Sequence, residues 1–187
     1  FSCGPVDMGP ITRTAELGGG LKRIQNSVGA ILGPQDSWLL LRGMKTLAVR
    51  LEAQQRSAAT LAQSLASLPG IRRVHYPGLG GHPGHEVHAR QARGPGAVLS
   101  FELASEELAR EFLRRLELPM LAVSLGGVES IVSYPVTMSH AAMPREERER
   151  RGVTAALVRL SVGLEAPEDL LADITRALGE ASAADAR

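Results

Sequence analysis

Aromatic residues and cysteine are both scarce in this sequence of 187 residues. Phe, Tyr and Trp together make up 3% of the chain, so its core must be built mainly from Leu, Val, Ile and Ala. The single cysteine, Cys3, excludes an internal disulfide framework and fits a reducing compartment. We therefore predict a cytoplasmic protein whose fold depends on aliphatic packing.

Neither sign of charge dominates, and long apolar runs are lacking. The 21 basic and 20 acidic residues leave a formal net charge of +1, which is too small to indicate a nucleic acid or an anionic membrane as partner. The apolar runs, such as residues 37–41 and 97–101, are far shorter than the roughly 20 residues that a helix needs to span a bilayer. The composition predicts a globular protein with one domain and an additional arm.

The first 20 residues differ in composition from the rest of the chain. Residues 1–20 are rich in Gly, Pro and Thr and show neither helical nor strand periodicity, so we expect an irregular or displaced arm there. The sequence starts with Phe1 rather than an initiator methionine and shows no pattern of a secretion signal. We therefore expect the true beginning of the protein to lie elsewhere.

Hydrophobic periodicity and turn residues predict the elements of the remaining chain. Helices are expected at residues 35–41, from Thr46 to Pro69-Gly70, from Ser105 onward, and from Pro167 to about Gly179. Strands are expected at residues 71–76, 97–103, 120–124 and 157–164. This order predicts an α+β fold, in which one sheet has helices packed mainly on one side.

Two further segments have a distinctive composition. Residues 79–96 combine Gly, Pro and His, which predicts a long loop with one helical turn. Residues 144–151 carry charges of both signs at helical spacing, which predicts an exposed helical turn with internal ion pairs rather than a nucleic-acid patch.

Arg159 is a candidate site residue because its neighbours in sequence are those of a buried strand. A guanidinium among apolar residues is costly unless an anionic partner compensates it. One interpretation pairs Arg159 with a carboxylate of the protein, such as that of Glu129 or Glu165. The other is that the planar fork binds the carboxylate of a substrate at the end of a strand.

A second candidate lies where the third predicted strand ends. Ser124 and Leu125 are followed by Gly126-Gly127, a sequence that can expose backbone donors and the serine hydroxyl to a ligand. A Gly-Gly pair at a strand end more often serves only the turn itself. The motif therefore indicates a binding site only in combination with other evidence.

Other residues that could carry chemistry have weaker support. The histidines 82, 85 and 88 lack the spacing typical of a zinc site, so we expect no metal there. Cys3 has no base nearby in sequence, which argues against a nucleophile. Lys22 and Lys45 are the only lysines, and neither has a sequence context that would favour a Schiff base.

Taken together, three blocks of the sequence resemble the family of pyridoxal-phosphate (PLP) enzymes of cysteine and methionine metabolism. This family includes cystathionine β-lyase, cystathionine γ-lyase, cystathionine γ-synthase and methionine γ-lyase. The resemblance extends over roughly residues 21–178. Its blocks comprise residues 25–30, 33–37 and 41–47, then 76–79 with 82–83 and 85–86, and finally 124–130, 138–141 and 159–165.

The resemblance implies both a domain organisation and a site. Residues 21–69 would be the end of a large domain and a long connecting helix, and residues 70–187 would be the small C-terminal domain of a fold-type I PLP enzyme. Arg159 would clamp the α-carboxylate of an amino-acid substrate such as cystathionine, assisted by the Ser124 hydroxyl and the Leu125 backbone N–H. The complete enzyme would be a homo-oligomer, usually a tetramer.

The resemblance also implies that part of the active site is not in this sequence. The family's PLP forms a Schiff base with a lysine in a Ser-x-Thr-Lys-like segment of the preceding large domain. Neither Lys22 nor Lys45 matches that lysine, so we assign no catalytic or cofactor-binding residue and expect a truncation, a frameshift or a remnant. The alternative function is therefore a non-catalytic α+β module that works only by association.

The residues at individual motif positions favour one branch of the family. Val123 is apolar where some γ-lyases carry a carboxylate, which disfavours the γ-lyases. Residues 133–135 and 138–144 are most similar to those of bacterial cystathionine β-lyases or γ-synthases.

Overall fold

The structure, a computed structural model, describes residues 15–185 and the side chains of residues 17–184. The chain divides into two compact units, one up to Leu47 and the other from Ala48 onward. Among the residues described, no helix is both long enough and apolar enough to cross a membrane.

The first unit contains helices α1, Ala15–Val28, and α2, Pro34–Met44. The prediction of an irregular arm needs correction for residues 15–20, which belong to α1, whereas residues 1–14 lie outside the described part. Three consecutive glycines, residues 18–20, obscure the helix in the sequence because glycine lowers helix propensity by about 1 kcal/mol. Glycine does not forbid a helix, however, and Leu17, Leu21 and Ile24 recur at helical spacing.

Helix α2 is longer than the predicted segment 35–41. It begins with Pro34 at a first-turn position, as the sequence predicts, and has Asp36 in its first turn. Gly43 does not interrupt it, because a single glycine costs too little to end a helix that is otherwise favourable.

The second unit contains the remaining helices and all strands that the structure describes. The helices are α3 (Leu47–Leu65, whose first residue precedes the unit), α4 (His85–Gln91), α5 (Glu106–Arg115), α6 (Arg145–Arg150) and α7 (Pro167–Asp185). The strands are β1 (Ile71–His75), β2 (Val98–Leu103), β3 (Met120–Leu121), β4 (Ile131–Ser133) and β5 (Leu157–Ser161).

The sheet is mixed, which confirms the α+β prediction. Its strand order is β1-β2-β5-β4-β3, and all neighbours are antiparallel except β3 and β4, which are parallel. The sequence prediction missed β4 because a strand of three buried residues is too short to show alternation. Helix α7 continues past Gly179, the predicted end, to Asp185.

The core lies on one face of this sheet. In β2, the side chains of Leu99, Phe101 and Leu103 are buried, and they belong to one cluster with buried residues of α3, α5 and α7. The Phe101 ring packs edge to face on Phe112 of α5, with ring centroids 5.9 Å apart. Ser105 caps α5 as predicted, since its hydroxyl accepts a hydrogen bond of 3.0 Å from the Leu108 N–H.

The strand register places Arg159 on the face opposite this core. Ser100 of β2 pairs with Arg159, and Arg159 pairs with Ser133 of β4. Residues that pair directly across antiparallel strands share a face, and Ser100 alternates with the core residues of β2. The centre of the sheet therefore holds a guanidinium on the side away from the core.

Asp173 of α7 fixes the segment that follows α5. Its buried carboxylate accepts hydrogen bonds from the N–H groups of Leu118, at 2.9 Å, and Glu117, at 3.1 Å, and from the guanidinium of Arg176. Burial alone would raise the pKa of Asp173, but the Leu118 N–H, the Arg176 guanidinium and the Glu117 N–H together lower this pKa below its usual value.

Replacing Asp173 by asparagine should therefore change how stability depends on pH. A lowered pKa stabilises the folded chain above the unfolded value of about 3.9, and this stabilisation is lost as the pH falls through the folded value. We expect Asp173→Asn to lower the free energy of unfolding at pH 7 by about 1–3 kcal/mol, with a smaller loss at pH 3. Urea unfolding followed by circular dichroism at both pH values measures this, and an equal loss at both would contradict it.

Candidate active site

Arg159 has an unpaired donor on the side of the sheet away from the core. Its Nη2 donates a hydrogen bond of 2.8 Å to the backbone carbonyl of Ser124. Its Nε is buried and has no hydrogen-bond partner among the described residues. A buried donor without an acceptor costs about 1–3 kcal/mol, so a partner from outside the described residues is expected.

No protein carboxylate described by the structure neutralises this guanidinium. Neither Glu129 nor Glu165, the two carboxylates that the sequence offers, forms an ion pair with Arg159. Glu165 instead accepts hydrogen bonds from the Ser130 N–H, at 2.6 Å, and from the Ser130 hydroxyl, at 2.8 Å. The interpretation of Arg159 as one half of a structural salt bridge therefore has no support in the described part of the chain.

The segment next to Arg159, residues 124–128, forms a turn that we call the Gly-Gly turn. Gly126 has a φ of +79°, a conformation that side chains other than glycine rarely adopt. Its N–H donates to the Ser161 hydroxyl at 2.9 Å, which attaches the turn to β5 two residues after Arg159. The Val128 carbonyl accepts from the Leu164 N–H at 2.7 Å.

The helix layer also reaches the Gly-Gly turn. The Nε2 of Gln54, a residue of α3 that is 2% exposed, donates a hydrogen bond of 2.6 Å to the Gly127 carbonyl. Backbone groups of Gly126, Gly127 and Val128 are therefore held by two segments of the second unit, α3 and the end of β5 with the residues that follow it.

The segment that Arg159 contacts has two further unpaired donors. Ser124 and Leu125 are both exposed, and within the described residues neither the Ser124 hydroxyl nor the Leu125 N–H takes part in a hydrogen bond. Arg159 bonds to the Ser124 carbonyl, and because that peptide is trans, the Leu125 N–H of the same peptide points away from this bond. The fork of the guanidinium itself suits a planar anion with two oxygens, such as a carboxylate.

The chain that follows the strand of Arg159 passes very close to the Gly-Gly turn at Gly163. The Gly163 N–H donates to the Ser130 hydroxyl at 2.8 Å, and Ser130 is buried. A Cβ added to Gly163 would lie closer than 3.0 Å to the carbonyl oxygen of Val128 and the carbonyl carbon of Glu129. Only glycine allows this approach without a shift of the turn.

The remaining candidates have structural partners. His85 Nδ1 lies 2.7 Å from the Pro77 carbonyl and His88 Nε2 lies 2.9 Å from the Gly94 carbonyl, while His82 Nδ1 accepts from the Gly84 N–H. The described residues contain no group of three or more side chains placed to hold a metal ion. Cys3 lies outside the part that the structure describes.

The predicted charged helical turn, residues 144–151, is confirmed as α6. Its ion pairs join Arg145 to Glu149, at 2.7 Å, and Arg151 to Glu147, at 2.5 Å, and all are at least partly exposed. Exposed pairs of this kind contribute little free energy, which is consistent with a surface helix rather than a site.

Gln54 and the Ser130–Glu165 pair are the parts of the site that sequence analysis missed. The sequence contains one signal for Gln54: this polar residue occupies a position of the helical repeat that Ala58, Leu61 and Leu65 continue, which is the repeat of a buried face. The partners of these residues lie 73 and 35 positions away along the chain, so no local pattern identifies them.

The close approach at Gly163 generates a prediction for Gly163→Ala. The added methyl group should displace the Gly-Gly turn, lower the free energy of unfolding by about 1–3 kcal/mol and speed amide exchange at Gly126. The matched control is Gly80→Ala, because a Cβ at Gly80 would meet nothing within 4 Å. Urea unfolding and amide exchange by nuclear magnetic resonance (NMR) measure the effects, and equal results for the two variants would contradict the account.

The chain matches curated enzymes at high identity over part of their length. It is 56% identical over 165 residues to the cystathionine beta-lyase MetC of Bacillus subtilis (strain 168), which corresponds to 88% of this chain and 42% of that enzyme. It is 49% identical over 168 residues to the cystathionine gamma-lyase of the same strain, covering 90% of this chain and 44% of the relative. The chain thus spans less than half the length of these relatives.

Solved structures and a family model agree with these matches. The fold superposes on the cystathionine gamma-lyase of Lactobacillus plantarum complexed with L-serine, with a TM-score of 0.85 and 42% identity, over 92% of this chain and 45% of that one. A cystathionine gamma synthase from Xanthomonas oryzae pv. oryzae, in complex with cystathionine, gives a TM-score of 0.85 and 43% identity over the same shares. The model of the family described as Cys/Met metabolism PLP-dependent enzyme matches residues 6–179. The chain therefore belongs to the PLP-dependent enzymes of cysteine and methionine metabolism.

Proposed function

We propose that this chain supplies the substrate-carboxylate site of a PLP-dependent carbon–sulfur lyase or transferase. The observation that carries the proposal is the buried Nε of Arg159, which has no partner among the described residues, on a guanidinium that is held by the carbonyl of Ser124. Family membership supplies the class of substrate, because enzymes of cysteine and methionine metabolism act on amino acids.

Arg159 is suited to bind the α-carboxylate of such a substrate. Its guanidinium offers a fork of donors that matches the two oxygens of a carboxylate, and its Nη2 is held in place by the Ser124 carbonyl. The Ser124 hydroxyl and the Leu125 N–H can each donate one further hydrogen bond. Fixing the carboxylate orients the rest of the amino acid, which is how these residues would contribute to the rate.

Apolar side chains around this site fit the carbon–sulfur part of the substrate. Val123, Leu125 and Val128 of the loop are 67%, 55% and 49% exposed, and Leu164, whose N–H is bonded to the Val128 carbonyl, is 44% exposed. Exposed aliphatic groups beside unpaired polar donors are the usual composition of a small-molecule site.

PLP is the cofactor of the family, and the residues around Arg159 do not provide its covalent attachment. The second unit contains no lysine, since Lys22 and Lys45 both lie in the first. Neither of these two matches the lysine segment of the family. We therefore assign to the residues near Arg159 the binding of the substrate, and no step that involves the cofactor.

Cystathionine and β-elimination are the substrate and the reaction that we propose. The two relatives from the same Bacillus subtilis strain provide the evidence, because identity is 56% with the beta-lyase and 49% with the gamma-lyase. The apolar Val123 agrees with this choice.

We also propose a homo-oligomeric, cytoplasmic enzyme. A non-catalytic association module has no support, since the relatives named above are all enzymes.

A chimera tests the role of Arg159. Residues 21–178 would replace the corresponding segment of the Bacillus subtilis beta-lyase, and release of pyruvate from cystathionine would be measured. Arg159→Ala should lower kcat/KM by about 30- to 5,000-fold, which corresponds to the roughly 2–5 kcal/mol that truncating one partner of a hydrogen-bonded charge pair costs.

The control for this experiment is Arg73→Ala, which removes an exposed arginine from the edge strand β1. We expect this variant to retain kcat/KM within about twofold, since exposed surface substitutions have small effects. Near-normal kinetics of the Arg159→Ala chimera would contradict the proposed function.

A further inference from the structure

Gln54 is a buried polar residue in an otherwise apolar helical stripe. The other buried residues of α3 are Ala58, Leu61, Ala62 and Leu65, all of which belong to the core cluster. A buried amide costs free energy unless it is hydrogen-bonded. In this chain the bond of the Gln54 Nε2 goes to the Gly127 carbonyl in the Gly-Gly turn, at 2.6 Å.

The position of this bond differs from that of the other bonds that hold the turn. Ser161 and Leu164 hold Gly126 and Val128 from β5 and the residues that follow it. Among the described residues, Gln54 is the one side chain of the helix layer that bonds to the turn. It therefore fixes the middle residue of the three, Gly127, whose carbonyl is bonded from α3 rather than from β5 or the residues after it.

We infer that Gln54 is a positioning residue for the substrate carboxylate, because it holds the Gly-Gly turn, whose Ser124 carbonyl in turn holds the Arg159 guanidinium. This inference rests on the proposed function of Arg159. Gly127 lies two residues after Leu125, so a rotation of the Gly127 peptide would be passed to the Ser124–Leu125 peptide, and thus to Arg159, through only a few backbone torsions. A mispositioned donor weakens ligand binding without the loss of any group that contacts the ligand.

The chemistry of position 54 makes the inference testable by substitution. Methionine has nearly the length of glutamine and packs well in an apolar core, but it has no donor for the Gly127 carbonyl. Histidine keeps a donor at the same number of bonds from Cα, since its Nε2 corresponds to the amide nitrogen of glutamine. Gln54→Met should therefore remove the hydrogen bond to the Gly127 carbonyl, and Gln54→His should restore it.

The experiment uses the full 187-residue chain labelled with nitrogen-15 and two NMR readouts. The first is amide hydrogen exchange at Gly126 and Leu164, which report on the turn. The second is a titration with L-serine, an amino acid with a free α-carboxylate, followed at the Arg159 Nε–H resonance. In Gln54→Met we expect exchange to accelerate about tenfold and the Kd for L-serine to rise by about five- to tenfold, as for the loss of one buried hydrogen bond.

Gln54→His should return both values to within about threefold of wild type. Leu65→Val is the matched control for a general loss of stability, because Leu65 lies in the same buried stripe and makes no bond to the turn. It should unfold at a lower urea concentration but leave the Kd for L-serine unchanged. A rise of the Kd in Leu65→Val equal to that in Gln54→Met would overturn the inference.

The outcomes separate the inference from the proposed function. If wild type binds L-serine through Arg159 and Gln54→Met has unchanged exchange and unchanged Kd, the positioning role is refuted and the carboxylate site stands. If the Arg159 resonance of wild type does not respond to L-serine, the carboxylate site itself is refuted, and the role of Gln54 falls with it.

Discussion

The hydrogen bond between the Arg159 guanidinium and the Ser124 carbonyl joins the middle of the sheet to the Gly-Gly turn. Strand β5, which carries Arg159, lies between β2 and β4, so its backbone cannot shift without disturbing pairing on both sides. The Cα position of Arg159 is therefore fixed by the sheet. Ser161, Leu164 and Gln54 bond to the turn as well, and the buried Nε of Arg159 has no acceptor among the described residues.

The two faces of the sheet carry different kinds of residue in this unit. One face of β2 and β5 buries aliphatic and phenylalanine side chains against α3, α5 and α7. The opposite face carries Ser100, Arg159 and Ser133 in register. Because successive residues of a strand alternate between faces, five residues of β5 contribute both to the core and to the site.

Much of this site could be predicted from the sequence for physical reasons. Arg159 is conspicuous because a charged residue interrupts an apolar strand, and Ser124 with Leu125 is conspicuous because two glycines follow. The sequence alone could not exclude Glu165 as a carboxylate partner of Arg159. Glu165 is instead bonded to Ser130, which lies 35 residues earlier, and no local pattern shows this. Gln54 was missed since its bond to Gly127 spans 73 residues. The helix over residues 15–20 and strand β4 were missed because local propensity and periodicity are weak there.

The account depends on where the carboxylate of an amino acid binds. A crystal structure of the chimera with L-serine bound measures this directly. Both oxygens of the carboxylate should lie within hydrogen-bond distance of the Arg159 guanidinium, at about 2.7–3.1 Å. A carboxylate bound elsewhere, with Arg159 paired to a protein carboxylate, would contradict the central claim.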